Sequence, residues 1–226
     1  MRVTPSQHQG PDMAAKARAK TGARGWERKR ANRDTYEEIL EAAAQAFSKN
    51  GYDGSSLAEI AKAVGIKTPA LYYHFKSKNE ILYAYLVRSG EHILTAVQQS
   101  VTAAGADPEK RLCAYVKSYI RTQLEMIDTM PSVNTVIYSS TLSKALTRSQ
   151  HKWVQDWERR IVELIRNILE DGQKEGVFQF HNLAPTAFFI MGSIDFVVNW
   201  YRTDGSLTID DLATEYANLA LATVKA

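Results

Sequence analysis

The chain has 226 residues, of which 45% are hydrophobic, and a formal net charge of +3 at pH 7. This length suits one domain of ordinary size or a small domain joined to a larger one. A single cysteine, Cys113, excludes an internal disulfide framework, and the lack of a long apolar run or a secretory signal excludes membrane-spanning and exported classes, so we expect a cytoplasmic protein.

The first part of the chain, residues 1–32, is predicted to be a flexible basic arm. Residues 1–33 hold nine Lys or Arg against two acidic residues, and glycines interrupt this stretch without a sustained apolar period. The remainder of the chain is mildly acidic. This distribution predicts an electrostatic contact between the arm and a polyanion such as DNA. The alternative is a solvated tail that keeps the protein soluble.

A first helix is predicted from about Arg33 to Lys49. Its apolar residues recur at helical spacing on one face, and Asn50-Gly51 would end it. Tyr52 is expected to seat the following loop against a small core. The residues of the apolar face are Ile39, Leu40, Ala43 and Phe47.

Residues 55–75 predict a helix-turn-helix. Ser56 and Glu59 have the spacing of a capping box at the start of a short helix, and Gly65 supplies the left-handed backbone that ends it. Thr68 and Pro69 then provide an N-cap and a first-turn proline for a second helix at 68–74. The polar surface of that second helix is rich in hydrogen-bond donors. Two short helices joined in this way are typical of proteins that read the major groove.

The segment 33–85 resembles the DNA-binding part of the TetR family of transcriptional repressors. The matching residues follow the family's order and spacing across the whole segment. The resemblance implies a helix-turn-helix domain at 33–78 and a larger helical ligand-binding and dimerisation domain at 79–226. The residues that carry it are Ile39, Leu40, Ala43, Phe47, Gly51, Tyr52, Ser55, Ser56, Ile60, Ala61, Gly65, Ile66, Leu71, Tyr72, His74, Phe75 and Lys78.

Carried over position by position, the resemblance places the DNA contacts on and around the helix at 68–74. Lys67 and Thr68 are the candidates for reading bases, since lysine suits the acceptors of guanine. Many family members have a small capping residue where Lys67 stands, so the helix would begin one residue later here. The other contacts are expected at phosphates or on the DNA backbone, with packing alone as the alternative for Tyr73. The predicted DNA-binding residues are Ser55, Ser56, Lys67, Thr68, Pro69, Tyr72, Tyr73, His74 and Lys78, while Leu71 and Phe75 are assigned to the core.

The next part of the chain predicts two further helices and an irregular stretch. A long helix at 79–104 would connect the two domains and transmit movement between them. A helix at 108–126 would begin at Pro108, which suits a first turn. Residues 132–149 are rich in Ser and Thr and less regular. The predicted apolar face of the helix at 108–126 is Leu112, Tyr115, Val116, Tyr119, Ile120, Gln123 and Leu124.

The last part of the chain predicts three more helices, which makes the protein all-α with about nine helices and no strand. Helical periodicity returns at 151–171, with Gly172 and Gly176 expected to end that helix. A helix at 184–201 is apolar nearly all round, which predicts burial on both sides. The final helix begins with a capping box of Thr208 and Asp211, and its predicted stripe is Leu212, Tyr216, Leu219 and Thr223.

The last two helices are the expected dimer contact. The family resemblance implies a dimer joined through these helices in a four-helix arrangement, and the apolar character of 184–201 favours an interface. A two-fold dimer would place its two recognition helices roughly 34–36 Å apart, or a near multiple, on a palindromic operator. The alternative is that both are ordinary core helices.

The C-terminal part is expected to bind a small hydrophobic effector. The pattern Asn199-Trp200-Tyr201-Arg202, with Gly205 and Leu207, is similar to family members that respond to acyl-CoA thioesters. Asp195 lies in an apolar helix, where a carboxylate needs a partner; a ligand, a group across the dimer and Arg202 are the alternatives. Plain core packing is the alternative for the aromatic and methionine positions. The predicted ligand-binding residues are Tyr115, Tyr119, Met126, Trp153, Trp157, Phe188, Met191, Asp195, Phe196, Asn199 and Arg202.

Nothing in the sequence points to catalysis. It has no glycine-rich phosphate loop, no HExxH motif and no Cys or His cluster with metal-ligand spacing, so we expect neither an enzyme nor a bound metal or cofactor. The predicted function is a repressor that leaves its operator when an effector favours a second conformation. A DNA-binding protein without sequence preference and a transcriptional activator of the same fold are the alternatives.

Overall fold

The computed structural model describes residues 13–126 and 144–225, with side chains described from residue 32 onward. These residues form eight α-helices and no strand. The all-α prediction is confirmed, and the number of helices in these residues is one fewer than the predicted nine. Residues 1–12, and the predicted irregular stretch up to residue 143, lie outside the described residues. The helices are α1 Met13–Gly54, α2 Leu57–Val64, α3 Thr68–His74, α4 Lys78–Ala103, α5 Pro108–Glu125, α6 Arg148–Lys174, α7 Leu183–Asp195, which continues into a 3-10 turn at Phe196–Asn199, and α8 Ile209–Val224.

Helix α1 begins at Met13, well before the predicted start at Arg33, so the second part of the predicted arm is helical. Gly22 and Gly25 were predicted to interrupt helical structure, and they do not. A glycine costs about 1 kcal/mol in a helix relative to alanine but does not by itself end one, and the preceding residues AAKARAK are strong helix formers. At the other end, regular helical backbone stops at Gly51 as predicted, because its φ of +73° suits glycine.

Helices α1, α2 and α3 share one small core, and we call this unit the head. The predicted apolar face of α1 is buried together with Ile60 of α2 and Leu71 of α3. The rings of Phe47 and Tyr52 have centroids 5.3 Å apart, which seats the loop before α2 as expected. The core therefore fixes α3 on a rigid support.

Helix α4 connects the head to the remaining helices, α5 to α8, which we call the body. On the head side, Arg88 Nη1 lies 2.7 Å from Glu37 Oε2 of α1. On the body side, the indole N–H of Trp157 in α6 donates to the carbonyl oxygen of Gly90 at 2.8 Å. A Cβ at Gly90 would lie 2.9 Å from the ring of Trp153, so only glycine allows α4 and α6 to approach this closely. Helix α4 is thus bonded to both parts of the protein.

Helix α5 lies at the centre of the body, packed against α4 and α8. Pro108 opens it as predicted, and the Asp107 side chain accepts from the amides of Glu109 and Lys110. Its predicted apolar face is buried throughout. No helix in the described part of the chain combines the length and apolar character that a bilayer crossing requires.

Helix α6 is longer than predicted at both ends. It begins with a capping box between Thr147 and Gln150. Gly172, predicted to end the helix, lies inside it. A Cβ at Gly172 would lie 2.1 Å from the ring of Phe178, so this glycine serves close packing and not a turn. The turn lies at Gly176, whose φ is +74°.

Helix α7 has two apolar faces, and only one of them is buried in this chain. The rings of Phe188, Phe189 and Phe196 are 60%, 64% and 62% exposed in the single chain, so the predicted burial of the second face requires a partner and stays a prediction. Ile190 and Ile194 on the other face are buried in the core.

Helix α8 is capped by Thr208 and Asp211 as predicted, but its buried face differs from the predicted stripe. Leu212 is buried, whereas Tyr216, Leu219 and Thr223 are half-buried or exposed. The reason is that small alanine side chains let α8 pack closely on α5, which a pattern of large side chains does not show. The buried face is Leu212, Ala213, Ala217, Ala220 and Val224.

Candidate DNA-binding surface and effector chamber

The turn between α2 and α3 has the geometry that the sequence predicts. Ser56 Oγ accepts from the amide of Glu59 at 3.2 Å, and the Glu59 carboxylate accepts from the amide of Ser56 at 2.9 Å. Gly65 ends α2 with a φ of +77°, and its amide bonds back to the last turn of that helix. These local features fix where α3 can begin.

The start of α3 differs from the prediction in one respect. Lys67 is the cap residue and Thr68 is the first helical residue, so Thr68 is not the N-cap and no side chain caps the helix. A side-chain cap is unnecessary because Pro69 has no amide N–H. The amides of Ala70 and Leu71 already donate to the Lys67 carbonyl oxygen, at 2.8 and 3.3 Å. The Lys67 side chain is exposed beside the helix start.

The outer face of α3 exposes two aromatic rings. Tyr73 is 75% exposed and Tyr72 is 49% exposed, and the rings of Tyr73 and His74 meet edge to face with centroids 5.5 Å apart. Leu71 and Phe75 are buried and hold the helix in the head core, as predicted. We call the outer face the recognition surface; it consists of Lys67, Thr68, Pro69, Tyr72, Tyr73 and His74.

Ser55 does not lie where a phosphate contact requires. It is 5% exposed, and its hydroxyl lies 2.9 Å from the carbonyl oxygen of Ala46 and 2.7 Å from that of Gly51. Its amide donates to the carbonyl oxygen of Tyr52. The predicted phosphate contact of Ser55 is therefore wrong, because both of its donors are used inside the head. Ser56 stays exposed at the start of α2.

Lys78 supports the recognition surface from the start of α4. Its ammonium donates to the carbonyl oxygens of Tyr52 at 2.5 Å and Ser55 at 2.9 Å, and it lies 4.4 Å from the centroid of the Tyr52 ring. These contacts fix the loop that precedes α2. A direct phosphate contact for Lys78 stays a prediction.

A cavity of about 390 Å³ lies between α6 and α7, with α5 behind it. We call it the chamber. A cavity of this size suits a small ligand or one part of a larger ligand. Five of the predicted ligand-binding residues line it: Tyr119, Trp157, Phe188, Met191 and Asp195.

Tyr119 and Asp195 form a polar contact in the chamber wall. Tyr119 Oη donates to Asp195 Oδ1 at 2.6 Å. One turn earlier on α5, Tyr115 Oη donates to the carbonyl oxygen of Ile161 at 2.9 Å and lies 2.9 Å from Met191 Sδ. Burial, together with the nearby charge of Asp195, raises the pKa of Tyr115 well above its ordinary value of 10.0. Tyr115 is therefore a neutral core donor below the chamber.

The other predicted ligand-binding residues lie outside this chamber. The predicted alternative of an Asp195–Arg202 pair is wrong, because the Arg202 guanidinium bonds both carboxylate oxygens of Asp204 at 3.0 Å. Trp153 packs edge to face against Tyr83, with ring centroids 6.0 Å apart. The residues outside the chamber are Tyr115, Met126, Trp153, Phe196, Asn199 and Arg202.

Sequence reasoning missed the polar side of the chamber, which α6 provides. The charged residues there repeat at the same three-and-four spacing as the apolar stripe of α6, and this period is the signal that could have found them. No role was predicted for these charged residues from the sequence. Burial raises the pKa of the Glu158 carboxyl above its ordinary value. The lining residues that were missed are Gln155, Glu158, Arg159, Ile161, Val162, Glu163, Arg166 and Gly192.

The outward sides of α7 and α8 carry a second exposed apolar surface. The rings of Trp200 and Tyr216 stack with centroids 6.4 Å apart. We call this surface the aromatic face; it consists of Phe188, Phe189, Phe196, Trp200, Tyr216 and Leu219. Among the residues with described side chains, no group of three or more His, Cys, Asp or Glu is placed to hold a metal ion.

Two family models match the chain. The model for bacterial regulatory proteins of the tetR family matches residues 39–85, and the model for the tetracyclin repressor-like C-terminal domain matches residues 105–224. The second match alone covers more than half of the chain.

Transcriptional regulators are among the known proteins of similar sequence and structure. The HTH-type transcriptional repressor KstR2 of Rhodococcus jostii strain RHA1 is 29% identical over 185 residues, which is 81% of this chain and 88% of that protein. The crystal structure of the TetR-family regulator PfmR from Thermus thermophilus has a TM-score of 0.70 at 27% identity, covering 81% of this chain and 97% of that one. AibR, solved in complex with isovaleryl coenzyme A and operator DNA, has a TM-score of 0.70 at 23% identity, covering 82% and 97%, and shares the fold.

Proposed function

The chain belongs to the TetR family of bacterial transcriptional regulators, and from this premise we propose that it is a ligand-responsive repressor. Two copies bind a palindromic operator through their helix-turn-helix domains, residues 33–78. A small hydrophobic effector, an acyl-CoA thioester in our proposal, binds to the domain at 79–226 and releases the operator. KstR2, which matches 81% of this chain, is a repressor, and this supports the same direction of control.

The observation that carries the proposal is the recognition surface on α3. Leu71 and Phe75 anchor this helix in the head core, so Tyr72 and Tyr73 are presented outward on a rigid support. Tyrosine hydroxyls donate to phosphates, and their rings pack on sugars and thymine methyl groups. Lys67 at the helix start suits the O6 and N7 acceptors of guanine. Helix α3 therefore lies in the major groove with its first turn toward the bases.

The aromatic face supports dimer formation. Phe189 and Leu219 are 64% and 53% exposed, and Trp200 stacks on Tyr216 of α8. Exposed apolar side chains of this size are typical of a protein interface. Two copies joined through α7 and α8 would bury both aromatic faces around a two-fold axis. Such a dimer holds two copies of α3 on one side, at the spacing of two half-sites.

The chamber supports an effector with an apolar part. Trp157, Met191 and Ile161 supply apolar wall, and the Tyr119–Asp195 pair supplies a polar group at one side. The volume of about 390 Å³ suits a short acyl chain with its thioester, while the nucleotide end of a coenzyme A would extend outward. AibR, which has the same fold, was solved with isovaleryl coenzyme A.

Helix α4 supports a switch between two conformations. It is bonded to the chamber wall through Gly90 and Trp157, and to the head through Arg88 and Glu37. An effector that moves α6 therefore changes the position of α4 and the distance between the two heads. The effector needs a preference of only a few kcal/mol for the released conformation to reverse operator occupancy.

The test compares full-length protein on the DNA upstream of its own gene with random DNA of equal length at physiological salt, by gel shift. We expect the upstream DNA to bind at least about a thousandfold more tightly. We also expect isovaleryl-CoA to dissolve that complex. Equal affinity for both DNAs contradicts the repressor and favours a DNA-binding protein without sequence preference.

A further inference from the structure

Helices α5 and α7 run parallel, and their facing side chains pair in register. Tyr115 reaches Met191, and one turn further Tyr119 reaches Asp195, and the members of each pair are 76 positions apart in the sequence. A step of four residues on α5 therefore matches a step of four on α7. The rings of Tyr115 and Tyr119 stack with centroids 6.2 Å apart and an interplanar angle of 11°, so this face of α5 is a row of parallel side chains.

Gln123 is the next member of this row. It follows Tyr119 by four residues and so lies on the same face of α5, one turn beyond the chamber wall. It is 2% exposed, and neither Nε2 nor Oε1 of its amide has a hydrogen-bond partner among the described residues. A buried amide without partners costs free energy, and native proteins keep few of them. A polar ligand group that meets the amide would remove this cost.

The end of α7 explains why Gln123 has no hydrogen-bond partner among the described residues. In the register of the two preceding pairs, Gln123 would face Asn199. However, α7 ends at Asp195 and tightens into the 3-10 turn at Phe196–Asn199, where rise and rotation per residue differ from those of an α-helix. Asn199 is exposed, and its Nδ2 donates to the carbonyl oxygen of Phe196 at 3.2 Å. The third position of the row therefore receives no polar partner from α7.

We propose that Gln123 is an effector-binding residue that extends the chamber beyond Tyr119 and Asp195, an inference that rests on the proposed function. A glutamine amide both donates and accepts hydrogen bonds, so it takes a ligand group that does the same. The Asp195 carboxylate one turn away disfavours an anionic group at this position. The ligand class is thus an apolar molecule with a neutral hydroxyl or amide beside its apolar part. The pantetheine arm of an acyl-CoA carries amides of this kind.

The test uses three six-carbon probes that differ only in their end group: hexanamide, hexan-1-ol and hexanoate. Full-length 15N-labelled protein is titrated with each probe, and the side-chain amide signal of Gln123 is assigned from its loss in Gln123→Leu. We expect hexanamide and hexanol to shift this signal and hexanoate to leave it in place. Gln123→Leu should bind hexanamide at least tenfold more weakly than the native protein. Gln98→Leu, which changes an exposed glutamine on α4, should bind it equally well.

A second readout needs no probe. Gln123→Leu removes a buried amide that has no hydrogen-bond partner in the described part of the chain, so its Tm should rise, whereas Gln98→Leu should leave the Tm in place. The inference is overturned if hexanamide leaves the Gln123 signal unmoved or binds Gln123→Leu as tightly as the native protein. A fall in the Tm of Gln123→Leu also overturns it, because Gln123 would then be satisfied without a ligand.

Operator binding on the same samples separates this inference from the proposed function. Protein that binds hexanamide through Gln123 but does not select its upstream DNA contradicts the repressor and leaves the Gln123 site in place. Protein that selects its upstream DNA but whose Gln123 ignores hexanamide contradicts the Gln123 site alone.

Discussion

Trp157 donates its indole N–H to the carbonyl oxygen of Gly90 at 2.8 Å, and the same tryptophan lines the chamber. One side chain thus joins the chamber side of α6 to α4, the helix that carries the head. Gln150 makes a similar link nearer the start of α6, where its Nε2 donates to Asn79 Oδ1 at 3.1 Å. A ligand that displaces α6 therefore acts directly on α4.

Replacing Trp157 by phenylalanine should weaken this link. The variant keeps an aromatic ring but removes the hydrogen bond and some packing, so we expect the free energy of unfolding to fall by about 1–3 kcal/mol. Operator affinity without effector should be retained, while the loss of affinity caused by isovaleryl-CoA should shrink several-fold. Trp153→Phe is the matched control on the same helix. An unchanged response to isovaleryl-CoA in Trp157→Phe would contradict the role of this bond.

Lys67 and Tyr72 should differ in how their loss affects DNA binding. Lys67→Ala should relax preference at particular base pairs by about 1–3 kcal/mol, because a base contact discriminates between sequences. Tyr72→Ala should weaken binding to all sequences by a similar factor, since a phosphate contact carries no sequence information. Affinities for a set of single-base operator variants measure both effects. If Lys67→Ala loses the same affinity on every variant, Lys67 does not read bases.

Lys78→Ala should act through the stability of the head. Its ammonium bonds the loop carbonyl oxygens of Tyr52 and Ser55, so its removal frees the loop that positions α2. We expect a lower Tm and weaker binding to every DNA sequence, with the dependence of binding on salt unchanged. Lys76→Ala, at an exposed neighbour, should keep the native Tm. A native Tm together with a salt slope reduced by about 1 would instead show that Lys78 contacts a phosphate.

Features set by neighbours in the sequence were predictable, and features set by the tertiary fold were not. The capping boxes at Ser56–Glu59 and Thr208–Asp211 need only residues three apart, and both were predicted. The inward position of Ser55 depends on the carbonyl oxygen of Ala46 in another turn of α1, which no local pattern shows. Hydrogen bonds inside the head, such as those of Ser55, therefore determine which polar groups are available for contacts with DNA.

The same distinction holds in the body. Four of the five chamber residues were predicted because they are aromatic or methionine side chains at helical spacing, and Asp195 was predicted because a carboxylate in an apolar helix needs a partner. The 3-10 turn after Asp195 was missed, and it turns Asn199 outward and away from the row of Tyr119 and Gln123. Gly172 was interpreted as a helix end because the ring of Phe178, six residues later, cannot be placed from sequence alone.

Phe189→Glu should disrupt the dimer. Phe189 is 64% exposed on the aromatic face, and a charge buried there without a partner opposes association. We expect the monomer to dominate at micromolar concentration in sedimentation velocity and operator affinity to fall. Tyr73→Glu, at an aromatic residue that is 75% exposed on the recognition surface, should leave the dimer intact. A Phe189→Glu protein that remains dimeric would remove the aromatic face from the interface.

The raised pKa of Tyr115 predicts a loss of stability in alkaline solution. The folded protein holds its hydroxyl neutral, while in the unfolded chain it ionises near the ordinary value of 10.0. The contribution of the buried neutral Tyr115 hydroxyl to the free energy of unfolding is therefore fully present below pH 10, and it is lost as the pH rises through the higher pKa of the folded state. Tyr115→Phe should lower the free energy of unfolding by about 1 kcal/mol at pH 7 and flatten the decline above pH 10. Denaturant titrations at several pH values measure the free energy of unfolding of both proteins. If it declines equally steeply above pH 10 in the native protein and in Tyr115→Phe, the Tyr115 hydroxyl does not cause the decline.

The central claim is that a two-fold dimer binds a palindromic operator through α3 and leaves it when an effector binds. Sedimentation velocity of the full-length protein with fluorescent upstream DNA, with and without isovaleryl-CoA, tests this claim most directly. We predict two chains per palindrome without the thioester and free DNA with it. One chain per site, or a complex that forms equally well on random DNA, would contradict the account.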